Sequence, residues 1–174
     1  MAAADMIDNI LKFWTRIEAV LIGLLILTAL CTFLGSAVVR AVAPAWSIDW
    51  GEEIALYCIV WATVLAGSSL VAEGRHIRTE IFVASLAPSL RSAAAWLVLA
   101  LSAGFCLAMA WHGWKAFGFS LMLDERSAST LRTPQAYAVT LAMPVGMALI
   151  LGRVALMLAA GRRPFTDEPT PEGK

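Results

Sequence analysis

Charged residues are scarce in this chain, and several long stretches contain none. Asp, Glu, Lys and Arg make up 15% of the 174 residues, whereas 60% are hydrophobic and the mean hydropathy is +0.75. Soluble domains have about 25% charged and about 45–50% apolar residues. The imbalance predicts a membrane protein. The formal net charge is zero, so nothing indicates a nucleic-acid partner.

Cysteine and histidine are also few, and their spacing is not that of a metal or haem site. Cys31, Cys58 and Cys106 lie far apart inside apolar runs, which favours buried small hydrophobic side chains over a disulfide or metal ligands. His76 and His112 are expected near opposite membrane faces. No nucleophile–base pattern, phosphate loop or zinc motif is present. We therefore predict no enzyme activity, no catalytic residue, no metal and no cofactor.

Four apolar runs are long enough to cross a bilayer. About 20 residues at about 1.5 Å each match a hydrocarbon core of about 30 Å. We predict an all-α integral membrane protein with four transmembrane helices plus short amphipathic surface helices. Pro144 should bend the last span. Within a transmembrane domain of residues 19–160, the spans are expected at 19–39, 53–72, 92–114 and 134–156.

Polar or amphipathic segments flank the spans. Residues 1–18 are expected to form an amphipathic helix on the membrane surface. A second surface helix is expected at about residues 77–86. The connection 115–135 fits either an extension of the third helix or a re-entrant loop. Residues 161–174 are rich in Pro and polar residues, which predicts a disordered cytoplasmic tail.

The distribution of Lys and Arg indicates an orientation. The two terminal segments and the connection after span two carry about twice as many basic residues as the opposite face. This bias predicts cytoplasmic termini. It places the acidic start of span two and the connection 115–135 on the outer face.

The two ends of span two carry the most specific polar groups. At the outer end, Asp49 has the position of a helix N-cap, with Glu52 and Glu53 in the first turn. These acids either cap the helix or contact a partner, and both roles are compatible. We hypothesise a partner interface formed by Trp50, Glu52 and Glu53 at the outer face and by Arg75, His76 and Glu80 at the inner face.

The centres of the predicted spans lack ionised side chains. A transporter that moves a polar solute by itself needs polar groups or broken helices at mid-membrane. Glu18 is the nearest acid, and it lies at the start of span one. The chain is therefore predicted to support a partner. The alternatives are a free-standing, homo-oligomeric small transporter or channel, and a membrane anchor of a redox enzyme, which would need paired haem ligands.

Three motifs resemble one known family. They are Trp50-Gly51-Glu52-Glu53 before span two, Gly74-Arg75-His76-Ile77 after it, and Thr133-Pro134 leading to Pro144-Val145-Gly146. Together they resemble the DctQ-like small membrane subunit of tripartite ATP-independent periplasmic (TRAP) transporters, over roughly residues 17–160. Thr79-Glu80 departs from the expected small apolar residue followed by Asp.

The resemblance implies a non-catalytic small permease subunit in the bacterial inner membrane. Such systems import organic acids or similar carboxylate solutes by sodium-coupled symport, a form of secondary active transport. A periplasmic solute-binding protein captures the solute, and a large membrane subunit moves it by an elevator-type motion. The small subunit packs against the static scaffold of the large subunit and lies in the lipid bilayer.

Overall fold

The structure, a computed structural model, describes residues 2–72 and 88–160. These ranges contain no β-strand, only an isolated bridge between Arg126 and Pro134. Four helices are long and apolar enough to cross a membrane, which confirms the predicted all-α membrane fold. They are α1 (Ala2–Val42), α2 (Gly51–Ala72), α3 (Pro88–Met122) and α4 (Ala142–Ala159), with a 3₁₀ turn at Pro44–Trp46 and a π-helical turn at Ala136–Thr140.

Helix α1 is a single helix of 41 residues, about 62 Å long at the usual helical rise. We expected a separate surface helix over residues 1–18, but the structure has no helix boundary there. The reason is local, since the first glycine is Gly23 and no proline occurs before Pro44. The amphipathic segment therefore continues directly into the first span.

The four helices form a row in which α1 packs on α2, α2 on α4, and α4 on α3. Helix α1 meets the others along one narrow stripe, whose buried positions are Leu11, Glu18, Ala29 and Ser36. These positions recur at intervals of seven or eleven residues and so lie on one helix face. Large apolar side chains on the other faces of α1, and many on α3, remain exposed. These surfaces suit contact with lipid or with another membrane subunit.

Glycines allow close approach in the centre of the row. A Cβ atom on Gly146 of α4 would collide with Val64 of α2. A Cβ on Gly113 of α3 would lie 2.9 Å from the Cδ of Pro144. Small residues at such crossings bring helix backbones together, which is the main source of packing energy between helices in lipid.

The irregular turn before α4 lies where Pro144 was expected to disturb the span. Leu141 donates its N–H to the carbonyl of Ala136, five residues earlier, at 2.8 Å. Proline has no N–H, and its ring crowds the carbonyl four residues before it. The side chain of Trp61 on α2 donates a hydrogen bond of 2.9 Å to the carbonyl of Ala138, inside this turn. A side chain of a neighbouring helix thus contacts the backbone of this turn.

The connection 115–135 resolves into two parts. Helix α3 continues to Met122, and the remaining residues fold back toward the start of α2. Of the two structures expected for residues 115–135, the extension of the third helix is therefore observed for residues 115–122. The surface helix expected at 77–86 and the tail at 161–174 lie outside the described residues.

Candidate functional site: two polar clusters

Polar side chains gather at the two ends of the helix row. The first group, here called the Asp49 cluster, joins the end of α1, the start of α2 and the loop after α3. The second group, the Arg153 cluster, joins the first half of α1 to the last turns of α2 and α4. The Asp49 cluster comprises Arg40, Asp49, Glu52, Glu53, Tyr57, Ser127, Ser129 and Thr130, and the Arg153 cluster comprises Trp14, Thr15, Glu18, Ser68 and Arg153.

Asp49 connects the start of α2 to the loop after α3. Its carboxylate accepts hydrogen bonds from the backbone N–H of Thr130 at 2.9 Å and from the Thr130 hydroxyl at 2.7 Å. These two bonds hold the pKa of the Asp49 carboxyl below its ordinary value. The sequence indicated a helix cap at this position. The structure shows an acid that fixes a loop 81 residues away in the chain.

Glu53 holds the same loop from one turn further along α2. The Tyr57 hydroxyl donates a hydrogen bond to its carboxylate. The hydroxyls of Ser127 and Ser129 also reach it. Ser127 is buried, and its N–H donates to the carbonyl of Thr133 at 3.0 Å. Glu53 is therefore occupied within the chain itself.

Glu52 points to a different side of α2 and pairs with α1. Its carboxylate lies 2.5 Å from the guanidinium of Arg40, and both side chains remain about half exposed. Just before it, Trp50 lines a shallow apolar groove between α1 and α2, together with Ser36 and Gly51. A Cβ on Gly51 would lie 2.6 Å from the Ser36 Cβ, so the two helices touch closely here.

The loop after α3 is braced by its own hydrogen bonds. The Ser120 hydroxyl donates to the carboxylate of Glu125 at 2.8 Å, and Gln135 donates its N–H to the Glu125 carbonyl at 2.9 Å. Asp124 and Arg132 adopt positive φ angles of 46° and 45°. Non-glycine residues take this conformation mainly in turns. The loop is thus a defined structure that covers the first turn of α2.

The Arg153 cluster is built around a fully buried guanidinium. One nitrogen of Arg153, Nη2, lies 2.9 Å from the carboxylate of Glu18 on α1, and both side chains are almost inaccessible to solvent. The other, Nη1, donates to the backbone carbonyl of Ser68 on α2 at 3.1 Å. Nη2 also lies 3.4 Å from the hydroxyl of Thr15. A single side chain of α4 therefore links α1 and α2.

Trp14 completes this cluster. Its indole N–H donates to the second oxygen of Glu18 at 2.7 Å, and its ring lies 5.3 Å from the guanidinium carbon of Arg153. Both carboxylate oxygens of Glu18 are thus engaged, and the cation contacts an aromatic face. Neither charge is left uncompensated, which is the condition for placing ions in an apolar environment.

The sequence placed Glu18 at the start of span one but did not reveal its pairing with Arg153. A possible signal was the presence of one acid and one base near the same predicted membrane face, each flanked by apolar residues. An isolated charge in such a position is energetically unfavourable, so the two charges are expected to pair with each other. The signal was weak because the sequence does not say which helices are neighbours.

The other predicted site residues divide into two sets. The structure brings Trp50, Glu52 and Glu53 together in or beside the Asp49 cluster. Arg75, His76 and Glu80 lie outside the described residues. Whether any of the six contacts a partner stays a prediction.

The cysteines differ in burial, and none is paired in the described residues. Cys106 is buried, Cys58 is partly buried and Cys31 is exposed, so the expectation of burial is wrong for Cys31. The reason is that Cys31 lies off the narrow contact stripe of α1. Within residues 2–72 and 88–160, no group of three or more His, Cys, Asp or Glu side chains could hold a metal ion.

These features define a class of protein: a multi-pass membrane protein whose described polar groups join helices at the two ends of the row. A family model for the DctQ component of tripartite ATP-independent periplasmic transporters matches residues 29–163. The chain belongs to this family and is a small membrane component of a TRAP transporter. It is therefore a transport protein and not an enzyme. A comparison with curated proteins returned no match.

Proposed function

We propose that this chain is the non-catalytic scaffold subunit of a sodium-coupled, binding-protein-dependent importer of an organic acid or similar carboxylate solute. The large membrane subunit carries the solute, and a periplasmic solute-binding protein delivers it. The chain lies in the bacterial inner membrane with both termini in the cytoplasm. The basic residues near the termini and in the connection after α2 support this orientation.

The single observation that carries this proposal is the open row of helices. Helices α1 and α3 stand at the two edges, and both expose long apolar surfaces. The sequence has no Asp, Glu, Lys or Arg from residue 19 to 39 or from 136 to 152. A polar solute needs a lined path through the membrane. A row with apolar edges suits packing against a larger subunit better than it suits solute passage.

Reconstitution tests the division of labour. Proteoliposomes containing this chain alone are expected to show no solute uptake under an imposed sodium gradient. Adding the large subunit and the solute-loaded binding protein should restore uptake that depends on sodium. Robust flux from this chain alone would overturn the proposal and favour the free-standing, homo-oligomeric transporter or channel.

The outer-face interface hypothesis becomes sharper with the structure. Glu53 is engaged with the loop after α3, so its removal would disturb the chain itself. Glu52 is half exposed and has only Arg40 as its ion-pair partner in the described residues. We propose that Glu52 and Trp50 contact the large subunit or the docked binding protein, with Glu53 holding the surface in shape.

Two single variants separate these roles. Glu52→Ala should lower uptake in the complete system, while Arg40→Ala, which removes the internal partner but leaves the acid exposed, should have the smaller effect. Equal effects of the two variants would mean that Glu52 acts only through Arg40. Unchanged uptake and assembly for Glu52→Ala would refute a partner contact.

We also propose that Arg75, His76 and Glu80 anchor the inner end of span two to the surface helix or to the scaffold of the large subunit. Arg75 and His76 belong to the motif after span two that resembles the DctQ-like family, and Glu80 follows that motif closely, which supports this role. A chain with Arg75→Ala and His76→Ala should recover less of the large subunit on copurification. Full recovery would leave these residues as ordinary positive-inside anchors.

A further inference from the structure

Helix α1 is held firmly at its C-terminal end, which leads into α2. Only the eight residues 43–50 separate it from α2. The Arg40–Glu52 ion pair and the close contact of Ser36 with Gly51 add further restraint. The α1–α2 hairpin is therefore closed at this end by the chain itself.

The first turns of α1 lie far from this connection. Glu18 lies 22 residues before Arg40, about 33 Å away along a helix. At this level, α1 meets α4 through a small contact, in which the ring of Trp14 faces Gly152. A Cβ on Gly152 would lie 3.6 Å from that ring, so the contact is close but of ordinary van der Waals size.

In the described part of the chain, one side chain of α4 makes polar contacts with both α1 and α2 in this region. Arg153 pairs with Glu18 on α1 and at the same time donates to the Ser68 carbonyl on α2. The planar fork of a guanidinium can serve two acceptors in fixed directions, which a lysine ammonium does less well. Trp14 donates a hydrogen bond to the other oxygen of Glu18 and restricts where the carboxylate can go.

We infer that Glu18 and Arg153 form a clasp that holds the N-terminal part of α1 against α2 and α4, and that this pair, rather than apolar packing, decides where that part lies. This clasp involves neither the transported solute nor the proposed subunit interfaces. Both of its residues lie outside the predicted interface and act as positioning residues.

If the Glu18–Arg153 pair only stabilised the fold, a different result would be expected. Buried ion pairs replaced together by apolar residues of similar size often leave stability unchanged or improve it. If the pair acts as a clasp, the apolar double variant Glu18→Leu with Arg153→Met should remain folded but lose the defined position of the α1 end. Stability and position can therefore be measured separately.

Distances between spin labels test the inference in the full-length chain. The background carries Ala in place of Cys31, Cys58 and Cys106. One label pair, on exposed Phe13 of α1 and Leu158 of α4, reports the clasp end, and a second pair, on exposed Val38 and Leu56, reports the hairpin end. Pulsed electron resonance in lipid nanodiscs gives each distance distribution.

With Glu18 and Arg153 unchanged, each label pair should give one narrow distance distribution. The double variant should lose the narrow Phe13–Leu158 distance and keep the narrow Val38–Leu56 distance. Arg153→Lys keeps the charge but not the fork, and it should also broaden the first distance. The matched control Arg40→Gln with Glu52→Gln, which removes the exposed pair between α1 and α2, should leave the Phe13–Leu158 distance narrow.

Three results would overturn the inference. An unchanged Phe13–Leu158 distance in the double variant would mean that apolar packing positions α1. Broadening of both distances would mean that the pair supports the whole hairpin. Failure of the double variant to fold would show a stability role instead of a positional one.

Discussion

Among the described residues, two ion pairs connect α1 to the other helices, and they share their chemistry but not their surroundings. Arg40 and Glu52 lie 2.5 Å apart with side chains 54% and 51% exposed. Arg153 and Glu18 lie 2.9 Å apart with side chains 0% and 3% exposed. The exposed Arg40–Glu52 pair has the shorter distance, yet each of its charges can most easily find a substitute partner in the surroundings. Distance alone therefore does not rank the two contacts, and burial does.

The physical reason is the alternative open to each charge. An exposed carboxylate that loses its arginine is hydrated by water or headgroups, so an exposed pair typically contributes about 0–1 kcal/mol. A buried carboxylate has no such replacement, and removing one partner of a buried pair typically costs roughly 3–5 kcal/mol. The two ends of α1 should respond very differently to the same substitution.

The largest expected effect is that of Arg153→Ala. It leaves the Glu18 carboxylate buried without its cation and removes the donor to the Ser68 carbonyl. We expect the free energy of unfolding to fall by roughly 3–5 kcal/mol. Unfolding in mixed micelles with increasing dodecyl sulfate, followed by circular dichroism, measures this. The matched control is Arg40→Ala, with a loss below about 1 kcal/mol; similar losses for the two variants would contradict the comparison.

The second prediction concerns the centre of the row, between the two polar clusters. A Cβ on Gly146 would collide with Val64, so Gly146→Ala should destabilise the protein by about 1–3 kcal/mol through overpacking. Val64→Ala in the same chain should recover much of the loss.

Gly23 supplies the control for this prediction, because nothing lies within 4 Å of a Cβ there. Gly23→Ala should be neutral or stabilising, since alanine is the better helix former by up to about 1 kcal/mol. If both glycine variants behave alike, close packing of α2 and α4 does not hold the centre together.

A smaller effect is expected for the exposed pair itself. A double-mutant cycle with Arg40→Gln and Glu52→Gln should give a coupling energy of about 0.2–1 kcal/mol. The coupling should shrink as salt is raised, because ions screen exposed charges. A coupling that is large and insensitive to salt would show that this pair, like the buried one, is shielded from solvent.

The smallest effect is the pH dependence due to Asp49. Its folded-state pKa lies below the ordinary value of 3.8 because of the two hydrogen bonds from Thr130. The stabilisation is therefore present above the ordinary pKa and is lost as the pH falls through the lower folded-state value. Asp49→Asn should remove this part of the acid sensitivity, as seen in unfolding curves between neutral and strongly acidic pH. An unchanged acid profile would mean that the Thr130 contacts do not favour the carboxylate.

Much of the helical architecture could be predicted from the sequence. The lengths of the charge-free runs and the need of the backbone to satisfy its own hydrogen bonds in lipid lead to four helices. A bend was expected at Pro144, whose missing N–H is a local property, and the structure has a π-helical turn just before it. The helix ends were less predictable, and α1 and α3 both extend well beyond the expected spans.

The candidate site was predictable only where its residues are neighbours in the chain. Trp50, Glu52 and Glu53 were recognised because they share one helix start. The contact of this helix start with the loop after α3 was not, because Asp49 and Thr130 are 81 residues apart in the chain. The cluster around Arg153 was missed for the same reason, since Thr15 and Arg153 are 138 residues apart.

The sequence by itself determined that the chain crosses a membrane with four helices and keeps most of its charges near the ends, because hydrophobicity and helix length are properties of each segment alone. Only the tertiary structure decided which charges meet. The pairing of Glu18 with Arg153 and of Asp49 with Thr130 depends on the order of the helices in the row, and that order follows from packing between distant segments.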